Sequence, residues 1–345
     1  MQQPFLHSGF LEESAKVANE IQEYIRSTFV DRNDPNSKLL SADLLRRSAS
    51  LLKQAPRFML TTLHLHHVVL LLHGGLYERV FDDIALPLTT IDERVQVVDI
   101  LLLFYYLGLA QIRTSKYSDA RFSMLTVISI PGDALSAICV AALRKLCLIE
   151  LIDQGKLSPL PDWIIKRNGV TARIWDDMRK GSNRSDLVRS SLYEEADLSV
   201  AVYTDIVHAF TASDDPRELA GVIDLHSEYL RNVRDLGLAR KVMLAKYHRL
   251  LDKACRIYSS IPVNVMMRQM QIRDPHALGD IIDSFNQQTS CTACFDDTHE
   301  YIIFMNQPFI QDGPDNIDRL RGLLEFLGKW DSNRLASIKK TKLPV

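Results

Sequence analysis

The chain has 345 residues, a formal net charge of −2, 24% charged and 46% apolar side chains. At about 150 residues per domain this is two domains or one large one, and the composition excludes disorder as the main state. The near-neutral charge excludes a chain that holds nucleic acid by its global charge. Only 14 Gly and 13 Pro punctuate it, which argues against a turn-rich all-β fold and for long helices.

In chain order, residues 11–30 predict an amphipathic helix, with Leu11, Ala15, Ala18, Ile21, Ile25 and Phe29 at steps of three and four. A polar loop around Pro35 follows, then helices from Ser41 to before Pro56 and from Phe58 to His73, the latter stopped by Gly74-Gly75. A short helix at 76–85 and longer ones at 92–113, 117–129 and 134–154 continue the alternation. The run Ile100–Ala110 is the most apolar, and it is too short to span a bilayer, which takes about 20 residues. Leu107-Gly108, Tyr117 and Ala120 match a degenerate tetratricopeptide pattern; a generic helical hairpin is the alternative. Either gives a stacked helical solenoid.

Residues 162–190 break the rhythm. Seven basic residues (Lys166, Arg167, Arg173, Arg179, Lys180, Arg184, Arg189) stand among Asp162, Asp176, Asp177 and Asp186. This segment is expected as an exposed insertion, either a solvated loop or a basic docking patch. Helices resume at 191–211, 216–230 and 236–258, the second opened by Asp215-Pro216.

The last third changes character. A short helix at 263–270, a helix opened by Asp274-Pro275 and running to Gln288, and strands at Cys291–Phe295 and Tyr301–Met305 give the order of a winged helix. Tyr301, Ile303 and Met305 are expected on a strand at an open sheet edge, which pairs readily with another edge. A final amphipathic helix at 316–330 carries Leu320, Leu323, Leu324 and Leu327, a stripe buried by its own chain or by a bundle of partner helices. The expected fold is thus all-α: a tetratricopeptide-like helical-repeat solenoid over 1–245, a winged helix over 246–308, and a C-terminal helix with a basic tail over 309–345.

Chemistry is sparse. His64, His66, His67 and His73 crowd one helix, but no Cys, Asp or Glu lies between 61 and 77 to complete a metal site. Cys291 and Cys294 have half a zinc-knuckle spacing without a second Cys pair, so they are read as packing thiols. The five cysteines are too few and too scattered for a disulfide framework, and a reducing compartment is expected. The first ten residues lack the regions of a secretory signal. Neither GxSxG, GxGxxG nor a P-loop occurs. No catalytic residue, cofactor or metal is therefore assigned. The winged helix is a poor nucleic-acid reader: residues 249–306 hold five basic and seven acidic residues, and 276–289 lack Lys and Arg.

Helical repeats leading to an acidic winged helix resemble the PCI family of scaffold proteins. Ile130–Ile138 (IPGDALSAI), Arg144–Ile152 (RKLCLIELI), Gly155-Lys156, Leu160-Pro161, Asp215–Leu219 (DPREL), His226-Ser227 and Gly237-Leu238 are similar, in order and spacing, to the family of the third COP9 signalosome subunit. The resemblance covers roughly residues 100–310. The amino-terminal part is short for that family, Gln287–Ser290 stands where a Gly precedes the first strand, and the insertion at 162–190 is long. The resemblance implies a non-catalytic scaffold in nucleus and cytoplasm. Its partners would be the other signalosome subunits, met through the winged helix and a C-terminal helix bundle, and cullin-RING ligases, from which the complex removes NEDD8. No membrane is expected as a partner, and the acidic balance of the winged helix argues against nucleic acid. A proteasome-lid PCI subunit, or a PCI protein associated with nucleic acid through the basic insertion and tail, are the alternatives.

Overall fold

The computed structural model describes residues 4–28, 35–54, 59–84, 90–92, 95–129, 136–167, 169–180, 194–289, 291–296 and 298–306. The final amphipathic segment with Leu320, Leu323, Leu324 and Leu327, and the motif residues Ile130–Leu135, lie outside them. Helices dominate, and two compact units divide at residues 247 and 248. None of the described helices is long and apolar enough to cross a membrane.

The first unit opens with α1 (Pro4–Thr28), α2 (Pro35–Gln54), α3 (Thr62–His73) and α4 (Arg79–Asp83). Val17, Ile21, Leu44, Leu63 and Leu70 share one buried cluster across the first three helices. Residues 59–61, expected near the start of a helix, instead include β1 (Met59–Leu60), paired in parallel with β2 (Thr90–Ile91). The helix starts only at Thr62 because Thr61 is extended and His64 closes back on it, the Thr61 N–H donating to His64 Nδ1 at 3.1 Å. Its end is as read: Gly75 has φ +72°, the left-handed turn that glycine takes without strain.

Next come α5 (Val97–Arg113), α6 (Tyr117–Ser129) and α7 (Ala137–Asp153), which pack consecutively on one another. The small residues of the repeat pattern explain the close approach. Ala120 is fully buried, and a Cβ added to Gly108 would stand 2.6 Å from Met124 Cε. Ala adds one carbon that the flexible Met124 tip can yield to; Val adds a branched side chain that also meets Ser123, 3.4 Å from the Cβ position. We expect Gly108→Val to cost about 2–3 kcal/mol, read as a lower urea midpoint at unchanged slope. A cost no larger than that of Gly108→Ala would show that these helices are not in tight contact there.

The segment from residue 162 corrects an expectation. Residues 162–180 are α8 (Asp162–Arg167) and α9 (Gly169–Lys180), not an exposed loop; residues 181–193 lie outside the description. Thr171, Trp175 and Met178 repeat at helical spacing and are buried, Ile164 is fully buried, and Trp175 Nε1 donates to the Ser158 carbonyl at 2.8 Å. Polar composition hid this narrow apolar stripe. The docking patch is weakened too, since Asp176 pairs with both Arg179 and Lys180.

α10 (Glu194–Thr211), α11 (Pro216–Leu225), α12 (Ser227–Asn232) and α13 (Leu236–Ile257) complete the helical run. Asp215 caps α11 as its Asp-Pro predicts, accepting from Arg217 N at 2.9 Å. One continuous core joins α5 to α13 through Leu146, Ile149, Tyr203, Ile206, Leu219 and Val242. Inside it Glu150 accepts from Arg121 Nε at 2.5 Å and from Ser158 N at 2.9 Å, so its buried charge is fully engaged.

The second unit holds the end of α13, β3 (Ser260–Pro262), α14 (Val263–Met270), α15 (Pro275–Gln288), β4 (Cys291–Phe295) and β5 (Tyr301–Asn306). Asp274 caps α15 by accepting from His276 N at 3.0 Å. The three strands are antiparallel in the order β3-β5-β4, with Ala293 opposite Phe304 and Ile261 opposite Ile302. Leu278, Ile282, Phe285, Ala293, Ile302 and Phe304 are buried. Helices followed by a small sheet with a β4–β5 hairpin make this a winged helix.

Candidate partner-binding surface

The hairpin falls where the sequence placed it, but its role in the sheet differs. β5 is the central strand, not an edge, because the three-residue β3 pairs with its other side. A strand that short carries no periodicity to read. The true edges are also blunted. Asn286 of α15 donates through its Nδ2 to the Ala293 carbonyl and accepts from the Ala293 N–H through Oδ1, both at 2.8 Å. Thr289 Oγ1 donates to the Cys291 carbonyl at 3.0 Å. The outer side of β4 is thereby taken up by its own helix. β3 ends in Pro262, which has no N–H to offer another strand.

The sheet presents a face instead. Along β5, Ile302 and Phe304 point inward, while Tyr301, Ile303 and Met305 are 43%, 38% and 50% exposed. Half-buried Cys294 and Thr292 stand opposite Ile303 and Met305 in register. Three large apolar side chains on alternate positions of one strand form a row that water covers poorly, the kind of surface that marks a contact site. All three partner-binding candidates of this strand therefore lie together, on a face rather than along an edge.

α15 presents acidic rather than basic side chains. Asp280 and Asp283 are exposed, and the Asn286 amide is bonded to β4. Cys291 is not a free thiol: it is disulfide-bonded to Cys255 of α13, a long-range pairing that spacing could not suggest. Cys294 keeps its thiol, directed at the Ile303 carbonyl.

The four histidines separate into individual tasks. His64 is buried in the α3 cap, His66 Nδ1 donates to the Thr62 carbonyl at 2.9 Å, and His73 packs edge-on against Tyr24. His67 is fully buried between Ser48 Oγ, 2.8 Å from Nδ1, and Asp83 Oδ2, 3.1 Å from Nε2. This Ser–His–Asp line escaped sequence reading because its members lie on α2, α3 and α4. It has the residue types of a nucleophile relay, yet Ser48 is fully buried and its hydroxyl also lies 2.7 Å from the Leu44 carbonyl. No substrate reaches it, and its work is to tie three helices. Burial lowers the His67 pKa, the hydrogen bond and charge of Asp83 opposing it. Among the described residues no group of three or more His, Cys, Asp or Glu could hold a metal ion.

A run of packed helices followed by a winged helix is consistent with a helical solenoid carrying a PCI-type module. Residues 14–166 match the family model of the N-terminal helical repeats of COP9 signalosome complex subunit 3. The chain is similar to two proteins named COP9 signalosome complex subunit 3. The Drosophila melanogaster protein is 24% identical over 211 residues, 58% of this chain and 42% of that one. The Dictyostelium discoideum protein is 22% identical over 294 residues, 80% and 62% of the two chains. The chain thus spans less than two thirds of the length of these relatives.

Proposed function

We propose that this chain is a non-catalytic scaffold subunit of a COP9 signalosome, the complex that removes NEDD8 from cullin-RING ubiquitin ligases. The observation that carries the reading is the exposed Tyr301, Ile303 and Met305 row on the winged helix. A row of that kind is covered when neighbouring subunits assemble around it. The similarity to named third subunits supports the identity of the complex. On this reading the other signalosome subunits are the direct partners. The leucine stripe at 316–330 is a second contact with those subunits, and the protein works in nucleus and cytoplasm.

The test is a native-lysate pull-down of the tagged full chain, sized and identified by mass spectrometry. A chain truncated after Gln307 and the variant Ile303→Lys/Met305→Lys run beside it. We expect the full chain to recover other PCI subunits together with a zinc deneddylase. The truncation should lose them, and the lysine variant should retain them only weakly, because two buried charges at the centre of a contact cost several kcal/mol. Recovery of proteasome subunits would assign the chain to the lid instead. A chain that runs alone would end the scaffold reading.

A further inference from the structure

A second surface of the first unit has the makings of a recognition site. α11, α12 and α13 enclose a cavity of about 300 Å³, at the lower end of the size range of ligand pockets. Ile223, Leu236 and Met243 form its apolar floor. Arg231, Arg240, Asp224 and Ser227 stand around it, the three charged residues being exposed. Arg231 sits one helical turn beyond Ser227 on α12, and Arg240 one turn beyond Leu236 on α13, so both guanidiniums border the same opening.

Neither Arg231 nor Arg240 makes an ion pair or side-chain hydrogen bond among the described residues. This sets them apart from the arginines of the same unit that are paired, Arg47 with Glu20 and Arg121 with Glu150. Two free guanidiniums against the single carboxylate of Asp224 leave the rim positive. A guanidinium fork matches a carboxylate through two parallel N–H donors. The floor requires an apolar group, and Met243 adapts to its shape. Leu225, next to Asp224 in the chain, is 76% exposed and extends the apolar surface beyond the rim.

We propose that this groove binds an acidic peptide segment of a partner protein, in which an apolar side chain fills the floor and flanking Asp or Glu carboxylates engage Arg231 and Arg240. The recognition is independent of the winged-helix face and of the identity of the complex. Asp224 opposes it and sets its selectivity, favouring segments whose carboxylates lie on the arginine side.

The experiment titrates the full chain into a fluorescein-labelled peptide, Gly-Ser-Asp-Leu-Glu-Glu-Leu-Gly, followed by anisotropy. Saturable binding is expected. Arg231→Glu/Arg240→Glu should weaken it by at least about tenfold, and Asp224→Asn should strengthen it by roughly threefold, because the charges are near the contact. A peptide with Lys in place of its acids should not bind, and one with Gly in place of both Leu should bind much more weakly. Circular dichroism of the variants reports that the fold is retained; these exposed side chains make no contact that the helices need. Absence of saturation, or binding unchanged by the double reversal, overturns the proposal. Complete displacement by inorganic phosphate would overturn it in favour of a simple anion site, and displacement by single-stranded polyuridine in favour of nucleic acid.

Discussion

Asp235→Ala is expected to cost about 4 kcal/mol of stability, the penalty of stranding one member of a buried ion pair. Asp235 lies just before α13 and is 1% exposed. One carboxylate oxygen accepts from Lys145 Nζ of α7, and the other accepts from the Tyr203 hydroxyl of α10 at 2.5 Å. Lys145 is itself buried, with its ammonium 6.0 Å from the Tyr105 ring. Burial, then the charge and hydrogen bond of Asp235, raise the Tyr203 pKa far above the usual phenol range, so its proton stays in place to donate. Removing the carboxylate leaves an ammonium and a hydroxyl in a dry core without their acceptor. The pair as a whole is worth much less than its breaking, because its formation also strips water from both charges. Lys145→Met with Asp235→Leu should therefore cost clearly less than Asp235→Ala alone. Urea unfolding of the single and double variants measures both. A single-variant cost below about 1 kcal/mol would mean that the site is wet and the pair behaves like a surface one.

That network also shows what the sequence could and could not convey. Lys145 belongs to the aliphatic run Arg144–Ile152 that marks the family resemblance, but its partner lies 90 residues away. No local pattern links the two. Separation along the chain, though shorter, also hid the Ser48–His67–Asp83 line and the pairing of Cys255 with Cys291, 36 residues apart. Helix boundaries were legible where the signal is local: Asp215-Pro216, Asp274-Pro275 and Gly74-Gly75 each act through the backbone of their own turn. The β4–β5 hairpin was legible because alternation over five residues is enough to define a strand. Its place in the sheet was not, since that depends on three residues of β3 and on the side chain of Asn286. The inward and outward rows of β5 follow from alternation alone, which is why Tyr301, Ile303 and Met305 were found together although the wrong feature of the strand was assigned to them. α8 and α9 failed for the opposite reason: their charge density outweighed a stripe of only three or four buried residues.

The fold is expected to lose stability as pH falls from about 6.5 to 4, and His64→Gln should remove a large part of that loss. His64 is buried at the start of α3, and its pKa is pushed down to about 4. Burial is the main cause; the Thr61 backbone offsets part of it, and the charge of His67 adds a further small lowering. The unfolded chain takes up a proton on this ring near pH 6.5, the folded chain only near pH 4. Between these values the unfolded state binds more protons, so stability rises with pH through the window and is lost on acidification. The displacement corresponds to about 3 kcal/mol by pH 4. His67, lowered by burial and facing Asp83 and Arg79, and His248, lowered by burial, contribute in the same direction. Glutamine at position 64 carries a carbonyl that can accept the Thr61 N–H, as His64 Nδ1 does at 3.1 Å, and it does not titrate. The variant should match the parent at pH 7.5 to within about 1 kcal/mol, since the cap is kept. At pH 4.5 it should be the more stable of the two by about 2 kcal/mol. Urea midpoints at the two pH values provide the comparison. If the two proteins lose stability in parallel, His64 is protonated in the folded state at its ordinary pKa, and the start of α3 is open to water.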